Sequence, residues 1–157
     1  MAKTNAMRLL DQNQIEYQIA EYEVDEQDLS GVHAAENLEI EPEQLFKTLV
    51  LKGERNGYFV CCIPSEAEVD LKKAAKAFGD KKGDLIPMRM LQELTGYIRG
   101  GCSPVGMKKQ FPTFFDETAL LFDEIYVSAG QRGIAMRLCP EKLAEYLHAG
   151  FIDLCKE

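Results

Sequence analysis

Two features combine residue types and spacing that could do chemistry: a glycine-rich run and a lysine at the start of an apolar strand. The run reads Gly96-Tyr97-Ile98-Arg99-Gly100-Gly101-Cys102-Ser103-Pro104-Val105-Gly106. Four glycines, a proline and a serine in eleven residues make a loop, not a regular element. Bare backbone lets a substrate come close and leaves N–H groups free to meet developing negative charge. A plain reverse turn is the simpler reading of the same residues. Cys102 could attack a carbonyl if its thiol pKa were depressed. Ser103 could be a nucleophile or a hydrogen-bond donor, although no histidine base lies near it in sequence. Pro104 completes the candidate set in this loop.

Lys47 sits in Leu45-Phe46-Lys47-Thr48-Leu49-Val50. If the pleat sends Leu49 and Leu51 inward, Lys47 points to that same face. An inward ammonium needs an anion, from a carboxylate or a substrate; otherwise the side chain snorkels to water. Tyr22 could wall a pocket. Ser128, Gly130, Arg132 and Gly133 sit on one turn, where they line a pocket or simply make a hairpin.

Other chemistries lack support. His33 and His148 stand alone, and no zinc-protease, phosphate-loop or esterase motif occurs. The five cysteines are odd in number and have no C-x-x-C spacing, which fits reduced thiols in a cytosolic protein better than disulfides or a metal site. No metal or cofactor is therefore expected. No export signal and no run of about 20 apolar residues is present, so no membrane role is expected either. The net charge of −8 argues against a nucleic-acid partner until its distribution is read. Residues 1–46 carry −9, residues 47–109 carry +5 and residues 110–157 carry −4. The basic middle holds Lys47, Lys52, Lys72, Lys73, Lys76, Lys81, Lys82, Lys108 and Lys109, and could meet a polyanion or be an ordinary solvated face.

The elements that must position these groups read as follows. Thr4 caps a helix with Ala6, Leu9 and Leu10 inward, ending near Asn13. Ile15, Tyr17 and Ile19 alternate as a half-buried strand. Ser30 caps a short helix to Leu38, and Pro42 opens another. Lys47–Lys52 and Tyr58–Ile63 form a hairpin about Gly53–Gly57. Asp70 caps a helix Leu71–Phe78 closed by Gly79. Pro87 opens a helix with Met88, Leu91 and Leu94 on one side. Phe111–Phe115, Glu124–Ser128 and Ile134–Leu138 read as strands, and Gly130–Gly133 as a turn. Pro140–His148 is a last helix ended by Gly150, before an apolar Phe151–Leu154. With 46% apolar residues and no linker, the expectation is one α+β domain over 1–157. It should hold a mixed, mostly antiparallel sheet wrapped by helices.

In order and spacing these pieces resemble the YbaK/EbsC family of aminoacyl-tRNA deacylases, relatives of the editing domain of bacterial prolyl-tRNA synthetases. The resemblance runs through Tyr22, Phe46-Lys47-Thr48-Leu49, Asp70-Leu71-Lys72-Lys73, the Gly96–Gly106 loop with Lys108-Lys109, Pro112–Asp116, Tyr126–Gly130 and Arg132-Gly133. It implies that family's fold and a trans-acting enzyme that removes a mischarged amino acid from tRNA. In the YbaK branch this is cysteine on the 3′ end of proline tRNA, with prolyl- or cysteinyl-tRNA synthetase as a partner that supplies tRNA selection. It implies that the essential lysine is Lys47, that the pocket glycines are Gly100 and Gly101, and that Tyr22, Thr48 and Ser128 line the site. One departure stands out: Ala135 occupies a place where many members carry aspartate, which bears on amino-acid preference.

An aminoacyl ester is already activated, so no strong protein nucleophile is required. Gly100 and Gly101 amides would hold the carbonyl oxygen, Lys47 the terminal adenosine or its phosphate, and the thiol of a cysteinyl ester would attack its own carbonyl. The competing readings are a non-catalytic tRNA- or synthetase-binding module, and a deacylase for another small amino acid.

Overall fold

The computed structural model describes residues 2–157. Helix α1 (Asn5–Gln12) starts where the Thr4 hydroxyl accepts the Met7 N–H, and it buries Ala6, Met7 and Leu10. Strand β1 (Gln18–Glu21) and an acidic connection lead to α2 (Gly31–Leu38), capped by Ser30 through the His33 N–H. A 3-10 turn (Pro42–Gln44) precedes the hairpin of β2 (Phe46–Gly53) and β3 (Tyr58–Pro64). Asp70 caps α3 (Leu71–Phe78) by accepting from the Lys72 and Lys73 N–H groups, and Gly79 closes it at φ +74°. Next come β4 (Gly83–Leu85), a 3-10 turn (Met88–Met90) and α4 (Leu91–Thr95). The chain finishes with β5 (Thr113–Asp116), a 3-10 turn (Glu117–Leu121), β6 (Ile125–Gln131), β7 (Ile134–Leu138), α5 (Pro140–Leu147) and β8 (Gly150–Ile152).

These strands form two sheets, a three-stranded β1-β7-β6 and a five-stranded β4-β2-β3-β5-β8. The first is antiparallel throughout; in the second, β4-β2-β3 is antiparallel and β3-β5-β8 parallel. The mixed, mostly antiparallel α+β expectation therefore holds, divided between two sheets. They meet at a parallel bridge from Leu45 to Tyr126. The larger core packs Phe46, Val50 and Phe115 against Val127, Met136, Leu138 and α1. A smaller core under α3 holds Leu51, Phe59, Ile63 and Leu154.

Several local readings need correction. Ile19 is exposed, because β1 is an edge strand whose inward residue is Ala20. Met88 is also exposed, and the segment after Pro87 splits into a 3-10 turn and a short helix. β4 is too short and too exposed to betray itself by periodicity. β6 runs on through Gly130 to Gln131, with a register shift after Ser128, so the turn is shorter than Gly130–Gly133. His148 in the left-handed region, not Gly150, ends α5.

Asp70→Ala strips two N–H groups of their acceptor at the start of α3. It should lower unfolding stability by about 1 kcal/mol, seen as a lower denaturant midpoint at unchanged slope.

Candidate functional site

The seam between the sheets is where the site forms. β3 flanks β2 from Phe46 to Lys52, whereas β4 pairs with it only from Leu51 onward. β6 touches it at the Leu45–Tyr126 bridge and then diverges. Backbone groups along a strand point alternately to its two edges. The Val50 carbonyl accepts the Ile86 N–H on the β4 side, so the Thr48 N–H and C=O face that same edge, where no strand lies beside them. A cleft of about 370 Å³ occupies this gap, within the size range of small-molecule sites.

The cleft takes residues from both pleat faces because it opens on the edge of β2. Lys47 shares its face with Leu49 and Leu51, toward α3; Thr48 shares the other with Phe46 and Val50. Lys47 is half-buried, and burial holds its ammonium below the ordinary lysine pKa, opposed by Cys155 and Glu68. Among the described residues no carboxylate lies within 4.0 Å of its Nζ. A partly desolvated cation without a counterion in a cleft wall marks a candidate anion or substrate contact. By contrast, Lys73 is tied to Asp153 at 2.9 Å and to the Cys155 carbonyl at 2.8 Å.

The glycine-rich loop lines the cleft through Arg99, Gly100 and Cys102 and is held by its own hydrogen bonds. The Tyr97 hydroxyl donates to the Val105 carbonyl at 2.6 Å, and the Tyr97 N–H donates to the Thr95 hydroxyl at 3.0 Å. Arg132 Nε donates to the Arg99 carbonyl at 2.8 Å, which ties the loop to the β6–β7 turn. Gly100 adopts φ +85°, a left-handed conformation that favours glycine. Its N–H has no backbone acceptor among the described residues.

Of the residues picked from the sequence, the cleft brings together Tyr22, Lys47, Thr48, Gly100, Cys102 and Ser128, with Ala135 beside them. Gly101, Ser103, Pro104, Gly130 and Arg132 do not line it. The Gly101 N–H is spent on the Ile98 carbonyl at 2.9 Å, and a Cβ there would press on the Arg132 amide at 3.1 Å. Its lack of a side chain serves packing, so it is not an oxyanion donor. Ser103 is wholly buried, its hydroxyl accepting the Val105 N–H, and Pro104 is buried beside it. Gly130 backs onto the Tyr97 ring, where a Cβ would approach to 2.9 Å. Arg132 faces a smaller adjoining hollow with Asp28 and His33. Burial pushes the Cys102 thiol up to about 12, which leaves it un-ionised at neutral pH and a poor nucleophile.

Sequence reasoning missed the remaining walls. Leu29, Ser30 and Gly31 come from the entry to α2, Met88 from the 3-10 turn before α4, Leu91 from the first residue of α4, and Ser65 from just after β3. Gly31 is small because a Cβ would collide with Ser65. Arg99 carried a legible signal, a cation inside the glycine run. No pathway of sequence periodicity points to the others.

Tyr97→Phe removes the Val105 staple. Stability should fall by about 1 kcal/mol, and amide exchange should quicken across residues 96–106 while α1 and β3 keep their protection.

The family model of the aminoacyl-tRNA editing domain matches residues 28–146. A protein of Enterococcus faecalis named as a candidate Cys-tRNA(Pro)/Cys-tRNA(Cys) deacylase, EbsC, is 46% identical over 152 residues, 97% of this chain and 93% of that protein. The uncharacterized protein YwhH of Bacillus subtilis is 29% identical over 79% of both chains. Among solved structures, a candidate trans-editing enzyme for prolyl tRNA synthetase superposes with TM-score 0.81 at 24% identity over the whole of both chains. The hypothetical protein APE2540 superposes with TM-score 0.88 at 19% identity, over 98% of this chain and all of that one. At those identities the likeness is one of fold.

Proposed function

The chain belongs to the aminoacyl-tRNA editing domain family, and on that premise we propose that it removes cysteine misattached to proline tRNA, in trans, with Lys47 as the group that grips the substrate. Deacylation of aminoacyl-tRNA is the reaction class of the family. The observation that carries the finer reading is the half-buried Lys47, without an ion pair among the described residues, in a cleft that Gly100 also lines.

In this reaction the terminal adenosine of the tRNA enters the gap beside β2. Lys47 meets its phosphate or ribose oxygens, and the Gly100 N–H meets the ester carbonyl as it turns into an oxyanion. One such donor lowers the barrier by about 3 kcal/mol. Gly101 and Arg132 serve by fixing the position of Gly100. The un-ionised Cys102 makes a poor protein nucleophile. The cysteinyl ester instead carries its own thiol, whose attack on the adjacent carbonyl needs orientation more than activation; orientation alone can contribute roughly 7–11 kcal/mol. Tyr22, Thr48 and Ser128 supply the remaining wall and hydroxyl contacts.

The cleft is small beside a whole tRNA. The acceptor body must meet the protein elsewhere, through few phosphate contacts, so a complex with prolyl- or cysteinyl-tRNA synthetase is the proposed source of tRNA choice. Added salt should weaken docking, with a slope that reports the few phosphates contacted.

Lys47→Ala should abolish release of cysteine from Cys-tRNA(Pro), and Cys102→Ala should keep most of it. Loss of activity in the cysteine variant, with an acyl-enzyme trapped, would move the nucleophile into the protein. Tight tRNA binding by the wild type with no ester cleavage would leave a binding module instead. On one tRNA, seryl and alanyl esters should turn over far more slowly than the cysteinyl ester, since neither carries a thiol; equal rates would rule out thiol assistance.

The pH profile follows from the direction of the Lys47 shift. Burial favours the neutral amine, so the ammonium is lost at a lower pH than for an exposed lysine. After subtraction of spontaneous hydrolysis, kcat/KM should fall on the alkaline side. Lys47→Arg, which stays charged, should flatten that fall in whatever activity it retains.

A further inference from the structure

We propose that the cleft takes aminoacyl esters whose α-nitrogen is uncharged, and so cleaves N-acylated aminoacyl-tRNA as readily as the free-amine form; this rests on the deacylase reading above. Among the described residues, the charged side chains that line the cleft are Lys47 and Arg99, both cations, with no aspartate or glutamate. Ser30 and Gly31 add the start of α2, the positive end of a helix dipole. An α-ammonium held here would lose water and face like charge, with no lining carboxylate among the described residues to offset either cost. An amide or a neutral amine meets none of that penalty, and its N–H can still donate to the Thr48 carbonyl.

Acidic groups near the cleft have other partners: in the adjoining hollow Asp25 accepts the Gln27 N–H at 2.9 Å. Asp28 lies in the adjoining hollow, where it accepts the Ser30 N–H at 3.1 Å and sits 3.8 Å from His33 Nδ1. The Ser30 bonds hold its carboxyl below the usual range, with lesser help from His33 and Arg99. Glu68, which acts on Lys47 at longer range, pairs with Lys156 at 3.3 Å. On the β6–β7 wall Ala135 stands opposite Ser128 in the ladder. Its methyl and the side chains of Leu91 and Met88, which line the same cleft, offer apolar contact to a small acyl cap.

The chemical step does not involve the α-nitrogen. The ester C–O bond breaks and its electron pair stays on the ribose oxygen. That oxygen takes the proton released by the substrate's thiol, while the sulfur–carbonyl bond forms. Acylation of the nitrogen therefore blocks nothing.

The experiment compares Cys-tRNA(Pro) with N-acetyl-Cys-tRNA(Pro) on the full chain. The expected result is a kcat/KM for the acetylated ester within about threefold of the free amine or above it. Ala135→Asp should shift the ratio toward the free amine by about tenfold or more, and Ala135→Asn should not. Should the aspartate variant fail to fold, Ser128→Asp makes the same comparison. A free-amine ester cleaved more than about threefold faster than the acetylated one overturns the inference and leaves the deacylase reading intact. So does an Asp28→Asn variant that loses the free-amine substrate alone, since Asp28 would then be the ammonium's partner. If neither ester is cleaved, the deacylase reading fails, and binding of non-hydrolysable 3′-amide adenosine analogues decides. An acetylated analogue bound as tightly as the free amine upholds the inference, and one bound more than about threefold weaker overturns it.

Discussion

The unpaired edge of β2 is the constraint on which the site depends. A buried backbone N–H or C=O without a partner is costly. The Thr48 groups must therefore face water or a ligand for as long as no strand covers them. β4 cannot cover them, because its three residues reach only Leu51–Gly53. β6 cannot, because it pairs with β7 and swings away after its contact with Leu45. The gap between the two sheets is thus set by strand pairings that lie on either side of it.

Around that edge the protein stations positive charge with acidic groups only at longer range. Lys47 is partly desolvated and lacks an ion pair among the described residues, Arg99 belongs to a loop held by its own carbonyl, and α2 points its start into the same space. Such a field costs stability in the empty protein and is offset when an anion or a carbonyl dipole arrives. The rest of the basic segment behaves differently. Lys73 is paired, Lys52 lies 5.5 Å from the centre of the Tyr58 ring, and neither lines the cleft.

The glycine loop divides its labour between contact and support. Gly100 presents backbone to the cleft, while Gly101, Ser103, Gly106 and Tyr97 hold the loop's shape through close approach and hydrogen bonds within it. Gly130 belongs to the same scheme from the other side, since its missing side chain makes room for the Tyr97 ring. A loop held at so many points suits the proposed orientation-driven reaction, because order present before the substrate arrives need not be supplied on binding.

Local chemistry was legible in the sequence because it depends on neighbours along the chain. The caps at Thr4, Ser30 and Asp70, the β2–β3 hairpin and the left-handed Gly79 all follow from side chains within four residues. Lys47 on the Leu49–Leu51 face followed from the two-residue period alone. What only the tertiary structure decided is which groups share a space: that Ser65 and Gly31 adjoin the cleft, that Gly101 has already given its N–H to Ile98, and that no carboxylate among the described residues pairs with Lys47. The physical reason is that caps, turns and pleats are set by local dihedrals and hydrogen bonds. The site instead lies where two sheets part, and that separation is fixed by contacts between strands far apart in the chain.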